Sequence, residues 1–319
     1  MLLPQYRVTI FSGFSIISFH DIFNSNGGSW NGCQVLRVAS NRGIPVPWIA
    51  EKATERKNDM KREVLCGLLA AASLSLPAGA ARAVPVQADG TVLKSGSYVE
   101  QGVTYVPLRY LLDALGGWTV RWDSQAREAV AVSGSARLAA DPEEDTITIG
   151  GRAYTGRVTV ENGRTYVPLR LVTEALGGSA EWDPYLGGAA VTSAGAEHDA
   201  ADFYWLSRII SAESGGECLE GQIAVGNVVM NRVASREFPD TIPGVIFDRV
   251  DGVQFEPVSN GTVYKAPTAQ AMEAARRVLN GEKVIGNALY FYAPALSKGT
   301  WINANRTYYK TIGCHRFYL

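Results

Sequence analysis

From Phe203 the apolar residues Phe203, Leu206 and Ile210 recur at steps of three and four, the stripe of an amphipathic helix. The next place on that stripe is held by Glu213, so an acid lies on the face that packs inward. Asp202 can cap this helix, and Gly215-Gly216 close it. Leu219 to Val233 is apolar on most faces, with Gly221, Ala224 and Gly226 permitting close approach, and predicts a central buried helix. A shorter helix is predicted around Ala271 to Leu279, stopped by Asn280-Gly281.

Upstream the pattern is shorter and repeats. Thr104-Tyr-Val-Pro-Leu-Arg109, Leu111-Leu-Asp-Ala-Leu-Gly-Gly117 and Trp122-Asp123 return as Thr165-Tyr-Val-Pro-Leu-Arg170, Val172-Thr-Glu-Ala-Leu-Gly-Gly178 and Trp182-Asp183. Each copy reads as a strand, a helix started at Pro and closed by Gly-Gly, then a strand after the Trp-Asp turn. Thr146-Ile-Thr-Ile149 between them alternates like a half-buried strand. A small α+β domain over residues 84–193 follows, with its Tyr, Leu and Trp positions expected in the core. The small polar stretch 194–202 reads as a linker, and residues 203–319 as a second domain.

With 319 residues and 46% hydrophobic positions, the chain is long enough for such a pair of domains. Its formal net charge of −1, without a sustained basic run, excludes the electrostatic footprint of a nucleic-acid binder. Met60-Lys61-Arg62, an apolar run from Val64 to Leu76 and Ala81-Arg82-Ala83 form the basic, hydrophobic and A-x-A parts of a signal peptide over residues 60–83. Such a signal belongs at an N-terminus, so Met60 reads as the true start and residues 1–59 as an untranslated or unstructured leader. Two of the four cysteines, Cys218 and Cys314, then remain in an exported chain, where a single disulfide is expected between them.

The chemistry centres on Glu213. Partial burial and the negative end of a helix dipole both disfavour its charged form, and a carboxyl tuned toward about 6 can protonate a glycosidic oxygen near neutral pH. The alternative is a solvated acid at a frayed helix end. Asn227 and Asn231, one turn apart, either bond within the core or line a sugar cleft. The aromatic and amide residues of Val253–Tyr264, Leu289–Pro294 and Trp301 suit a polysaccharide, rings on sugar faces and amides on hydroxyl and N-acetyl groups. A zinc site is excluded by His315 being the one histidine of this domain, and no cofactor is called for. Cys218 with His315 is the sharpest rival, a thiol peptidase pair. A non-catalytic binding protein is the other.

Two resemblances extend this reading. The repeat region resembles the copper amine oxidase N-terminal domain. That name brings no copper with it, because the nearest histidine is His198 in the linker; a non-catalytic spacing or wall-associated module is implied. Arg208-Ile-Ile-Ser-Ala-Glu-Ser-Gly-Gly-Glu217, Gly221–Arg232, Gln254–Gly261, Tyr290–Pro294 and Ile312–Phe317 together resemble the catalytic domain of spore cortex-lytic enzymes, the SleB-type cell wall hydrolases. The resemblance implies a lysozyme-like, lytic-transglycosylase-like fold acting on peptidoglycan glycan strands. It implies cleavage between N-acetylmuramic acid and N-acetylglucosamine with 1,6-anhydromuramyl products, and Glu213 as catalytic acid. Candidate substrate-binding residues around it are Glu217, Gln222, Asn227, Asn231, Gln254, Phe255, Tyr290, Tyr292, Trp301 and His315. Cys218 and Cys314 stand where the family pattern has Pro and Asn, and Glu256 where it has a smaller Ser. The expected setting is the wall or spore cortex of a sporulating bacterium, and a regulatory protein of wall or spore is a compatible partner.

Overall fold

The computed structural model divides the chain into two compact units, Met1–Ser73 and Leu74–Leu319. It describes residues 81–250 and 252–319, and in the first unit three strands, β1 (Val8–Phe11), β2 (Phe14–Ile17) and β3 (Leu36–Arg37), paired antiparallel in that order. The apolar run of the expected signal peptide, and the remainder of the expected leader, lie outside the described residues.

The second unit is a mixed α+β structure. Its repeat region runs β4 (Arg82–Ala83), β5 (Val86–Ala88), β6 (Thr91–Val92), β7 (Tyr98–Glu100), β8 (Val103–Pro107), α1 (Leu108–Leu115), β9 (Thr119–Asp123), β10 (Glu128–Ser133), β11 (Ala136–Asp141), β12 (Thr146–Ile149), β13 (Arg152–Thr155), β14 (Thr159–Glu161), β15 (Arg164–Pro168), α2 (Leu169–Ala175), β16 (Ser179–Asp183) and β17 (Gly188–Thr192). Three sheets form, ordered β13-β12-β11-β10-β9, β14-β15-β8-β7-β4 and β16-β17-β5-β6. The two Tyr-Val-Pro strands, β8 and β15, pair antiparallel with Val106 opposite Val167, which makes the repeats neighbours about a local twofold. Both valines are fully buried, and Leu108, Leu111, Leu169 and Val172 of the helices pack onto the same core.

Tyr105, Tyr166, Leu108, Leu111, Leu112 and Leu169 are buried as expected, Leu115 and Leu176 only partly, and the tryptophans are not. Trp122 and Trp182 are each 45% exposed. β9 and β16 are edge strands of their sheets, so each has a neighbouring strand on one side only and its side chains are flanked on that side alone.

The remainder is helical with a terminal sheet: α3 (Ala200–Ser214), α4 (Leu219–Val233), α5 (Ile242–Ile246), α6 (Glu256–Asn260), a single 3-10 turn, α7 (Ala269–Leu279), β18 (Tyr290–Tyr292), α8 (Thr300–Asn305), β19 (Tyr308–Ile312) and β20 (His315–Tyr318). Helix α3 begins earlier than the apolar stripe suggests. Its cap is Asp199, whose carboxylate accepts from the amides of Ala201 and Asp202, while Asp202 lies in the first turn with burial, and then Asp199, raising its pKa to about 6. The segment expected as a linker is therefore docked: Ala200 N donates to Thr192 Oγ1 at 3.0 Å, and the Asn280 amide to Glu197 Oε1 at 3.1 Å. Across this junction the buried Trp205 indole donates to Asp183 Oδ2 at 2.7 Å, and Tyr185 stacks on Phe247 with centroids 4.4 Å apart. Gly90 permits the approach, since a Cβ there would lie 2.6 Å from the Phe203 ring.

Candidate active site

Glu213 occupies the last turn of α3, half-buried, on the stripe the apolar residues mark out. Its pKa is raised to about 7, first by burial and then by the negative charge of Glu256, with Arg232 pulling the other way. Glu256 opens the short helix α6 and is itself exposed. An acid held near 7 divides its time between both protonation states at neutral pH, the condition for one group to give a proton and later take one back.

The base of the site is Arg232, in the last turn of α4 and only 5% exposed. Burial lowers its pKa to about 10, which leaves it charged at neutral pH. A buried guanidinium needs compensation, and this one has rings and carbonyls rather than a contacting carboxylate. It lies over Phe238 at 4.8 Å, Phe255 at 5.2 Å and Tyr290 at 5.7 Å, while Nε donates to the Leu289 carbonyl at 2.9 Å. Its Nη1 reaches toward Gln254 Oε1 at 3.5 Å. Tyr290 continues the wall outward: its hydroxyl accepts from Arg306 Nη2 at 2.7 Å, and its ring meets Trp301 edge-on at 6.1 Å. Trp301 is 58% exposed, and Arg306 lies over it at 5.1 Å. Half-buried Gln254, Tyr290 and open Trp301 thus cluster by way of Arg232 and Arg306. Sequence reasoning passed over both arginines; the available signal was an Arg within an otherwise apolar helix.

Other expected substrate contacts are placed inside the molecule. Asn227 donates to the Glu282 carbonyl at 2.7 Å and accepts from Val284 N at 2.8 Å. Asn231 donates to the Gly286 and Ala288 carbonyls, each at 2.9 Å. These two asparagines bracket the 282–288 loop onto α4, the core role rather than the cleft role. Gln222 is fully buried and donates to the Glu217 carbonyl at 3.2 Å. Phe255 is a core side chain at 2% exposure. Tyr292 lies two residues along β18 from Tyr290, with Asn303 Nδ2 donating to its hydroxyl at 3.0 Å.

Glu217 and His315 also serve structure. The Glu217 side chain is 11% exposed and accepts from the Cys314 amide at 3.1 Å, tying the α3–α4 turn to the β19–β20 hairpin. His315 Nδ1 stands 3.7 Å from Glu217 Oε1, too far for a hydrogen bond, and burial holds the imidazole's pKa below its usual value. Gly313, at φ +55°, is required here because a Cβ would collide with Glu217 Oε2. Cys218 and Cys314 are exposed free thiols, so the expected disulfide is not closed. Glu217 lies beside Cys314: its carboxylate accepts from the Cys314 amide and raises that thiol's pKa.

Residues 216–318 match the family described as Cell Wall Hydrolase, and residues 87–194 that described as Copper amine oxidase N-terminal domain. The spore cortex-lytic enzyme of Oceanobacillus iheyensis is 35% identical over 141 residues, which cover 44% of this chain and 50% of that protein. The chain thus spans half the length of that relative. The catalytic domain of the germination-specific lytic transglycosylase SleB from Bacillus anthracis is 36% identical, covering 39% of this chain and 98% of that one, with a TM-score of 0.36. The cell wall hydrolase CwlJ of Oceanobacillus iheyensis is 32% identical over 104 residues, 31% of this chain and 72% of that protein. With that much of a whole relative spanned at that identity, the chain belongs to the cell wall hydrolase family.

Proposed function

We propose that this chain cleaves peptidoglycan glycan strands by lytic transglycosylase chemistry between N-acetylmuramic acid and N-acetylglucosamine, with Glu213 as its catalytic acid. One observation carries the reading: a half-buried carboxyl held at about 7 beside an aromatic and amide wall. Protonated Glu213 gives its proton to the glycosidic oxygen as the bond to the muramyl anomeric carbon breaks. The resulting carboxylate then takes the proton of the muramyl C6 hydroxyl as that oxygen closes on the anomeric carbon. No water is consumed, and Glu213 ends as it began. Trp301 and Tyr290 offer stacking faces for sugar rings, and Gln254 an amide for the N-acetyl groups.

Relatives named for spore cortex lysis support a substrate in cortex or wall, and peptidoglycan strands as the partner. The domain division follows as part of the proposal: 60–83 a signal peptide, 84–193 the repeat domain, 194–202 the connection and 203–319 the catalytic domain. Cleavage after Ala83 removes the two-residue edge strand β4 and leaves β5, the first strand of the core, intact. Export through that signal places the protein outside the cytoplasm.

A water-using glycosidase is the second reading, favoured by the proximity of Glu256, which supplies a second carboxylate. Digestion of purified cortex in heavy-oxygen water separates the two. Anhydromuramyl ends without label are expected; labelled reducing ends would overturn the transglycosylase step and assign Glu256 to the water.

A further inference from the structure

The local twofold of the repeat region produces two grooves at equivalent places. The first, about 590 Å³, is lined by Arg109, Arg121 and Trp122 of one repeat and by Asn162 and Arg164 of the other. The second, about 350 Å³, has Arg170, Glu181 and Trp182 at the equivalent positions, with Gly102 and Val103 from the opposite turn. Each groove thus joins the helix start and Trp strand of one copy to the hairpin turn of its mate. In both, the edge-strand tryptophan presents its ring to solvent at 45% exposure.

The grooves share a place in the repeat but differ in size and charge. Three arginines and no acid line the first, whereas Glu181 stands in the second where Arg121 stands in the first. Arg121 is paired with Asp123 at 3.1 Å. Arg109 and Arg164 take part in none of the ion pairs among the described residues. Arg164 is held in place instead by Tyr110, whose ring lies 5.3 Å from the guanidinium. In the second groove Arg170 is drawn to Glu174 at 3.9 Å and to the Ala180 carbonyl at 3.3 Å.

We propose that the first groove is a non-catalytic binding site for a peptidoglycan segment that carries free carboxylates, with a sugar face on Trp122 and carboxylates on Arg109 and Arg164. A planar guanidinium suits a carboxylate, and an exposed indole suits the apolar face of a pyranose. The proposal rests on peptidoglycan being the substrate and gives the repeat region the task of holding the strand while α3 presents Glu213.

The test uses the full chain carrying Glu213→Gln, so that bound polymer stays intact, with insoluble peptidoglycan either native or with its carboxyl groups amidated. Adding Arg109→Ala or Trp122→Ala is expected to weaken retention on native polymer roughly tenfold; on amidated polymer Arg109→Ala is expected to add little, whereas Trp122→Ala still weakens it. Trp122→Phe, which keeps a ring, is expected to retain most binding, and Trp182→Ala to leave the carboxylate-dependent part unchanged. Retention unchanged by both substitutions, or equal on amidated polymer, would overturn the proposal. Failure of the transglycosylase reading shows elsewhere, as parent protein releasing no anhydromuramyl ends, and leaves the retention result standing.

Discussion

Glu256, opening α6, lies near enough to Glu213 at the end of α3 for its charge to oppose the ionisation of that acid. Arg232 acts in the opposite sense on the same group. The working pKa is therefore set by burial and trimmed by two charges of opposite sign. Glu256→Gln removes the charge that raises it second to burial, leaving burial opposed by Arg232 alone. Because the first step needs protonated Glu213, the alkaline limb of the rate profile is expected to move to lower pH by about half a unit to one unit. A pH–rate profile on purified cortex measures this; a limb that stays in place contradicts the assignment of Glu256.

The same acid links stability to pH. Glu213 has a folded pKa of about 7 against 4.5 for the free group. A carboxyl raised on folding binds protons more tightly in the native state, so its contribution is fully present below 4.5 and is lost as pH rises through 7. Glu213→Gln removes this dependence. The variant is expected to be more stable than the parent by about 2 kcal/mol at pH near 8, with the difference shrinking toward pH near 5. Thermal unfolding at the two pH values checks it.

At the junction, Trp205→Phe keeps most of the buried ring but removes the indole donor to Asp183. Asp183 keeps its bonds from the amides of Tyr185 and Leu186, at 2.9 and 3.0 Å. A loss of about 1–3 kcal/mol is expected from the unmatched carboxylate oxygen. In a denaturant titration Asp183→Asn is expected to add less in the Trp205→Phe background than alone, since the two share one interaction.

Gly313→Ala and Glu217→Ala attack one clamp from its two sides. The first drives a methyl into the Glu217 carboxylate; the second leaves the Cys314 amide without its acceptor. Each is expected to cost about 1–3 kcal/mol in thermal unfolding, with the double variant less destabilised than the sum.

Period and punctuation made the helices readable: Leu219 to Val233 is α4 to the residue, and α7 begins only two positions before its expected start. Placement of Glu213 on the inward stripe was readable for the same reason. What escaped was set by neighbours distant in the chain. The repeats suggested buried tryptophans, yet Trp122 and Trp182 fall on edge strands that no local pattern identifies. Asn227 and Asn231 face backbone carbonyls 55 residues or more away, and Arg232 is solvated by rings from three separate segments. Asp202 suited a cap by its place before Phe203, but Asp199, with a free turn of helix ahead of it, takes that role.

The proposed role of Glu213 is read out by turnover of purified cortex peptidoglycan by parent and Glu213→Gln: a loss of about a hundred- to ten-thousand-fold with binding retained is expected. A variant that releases anhydromuramyl products at a rate near that of the parent would contradict it.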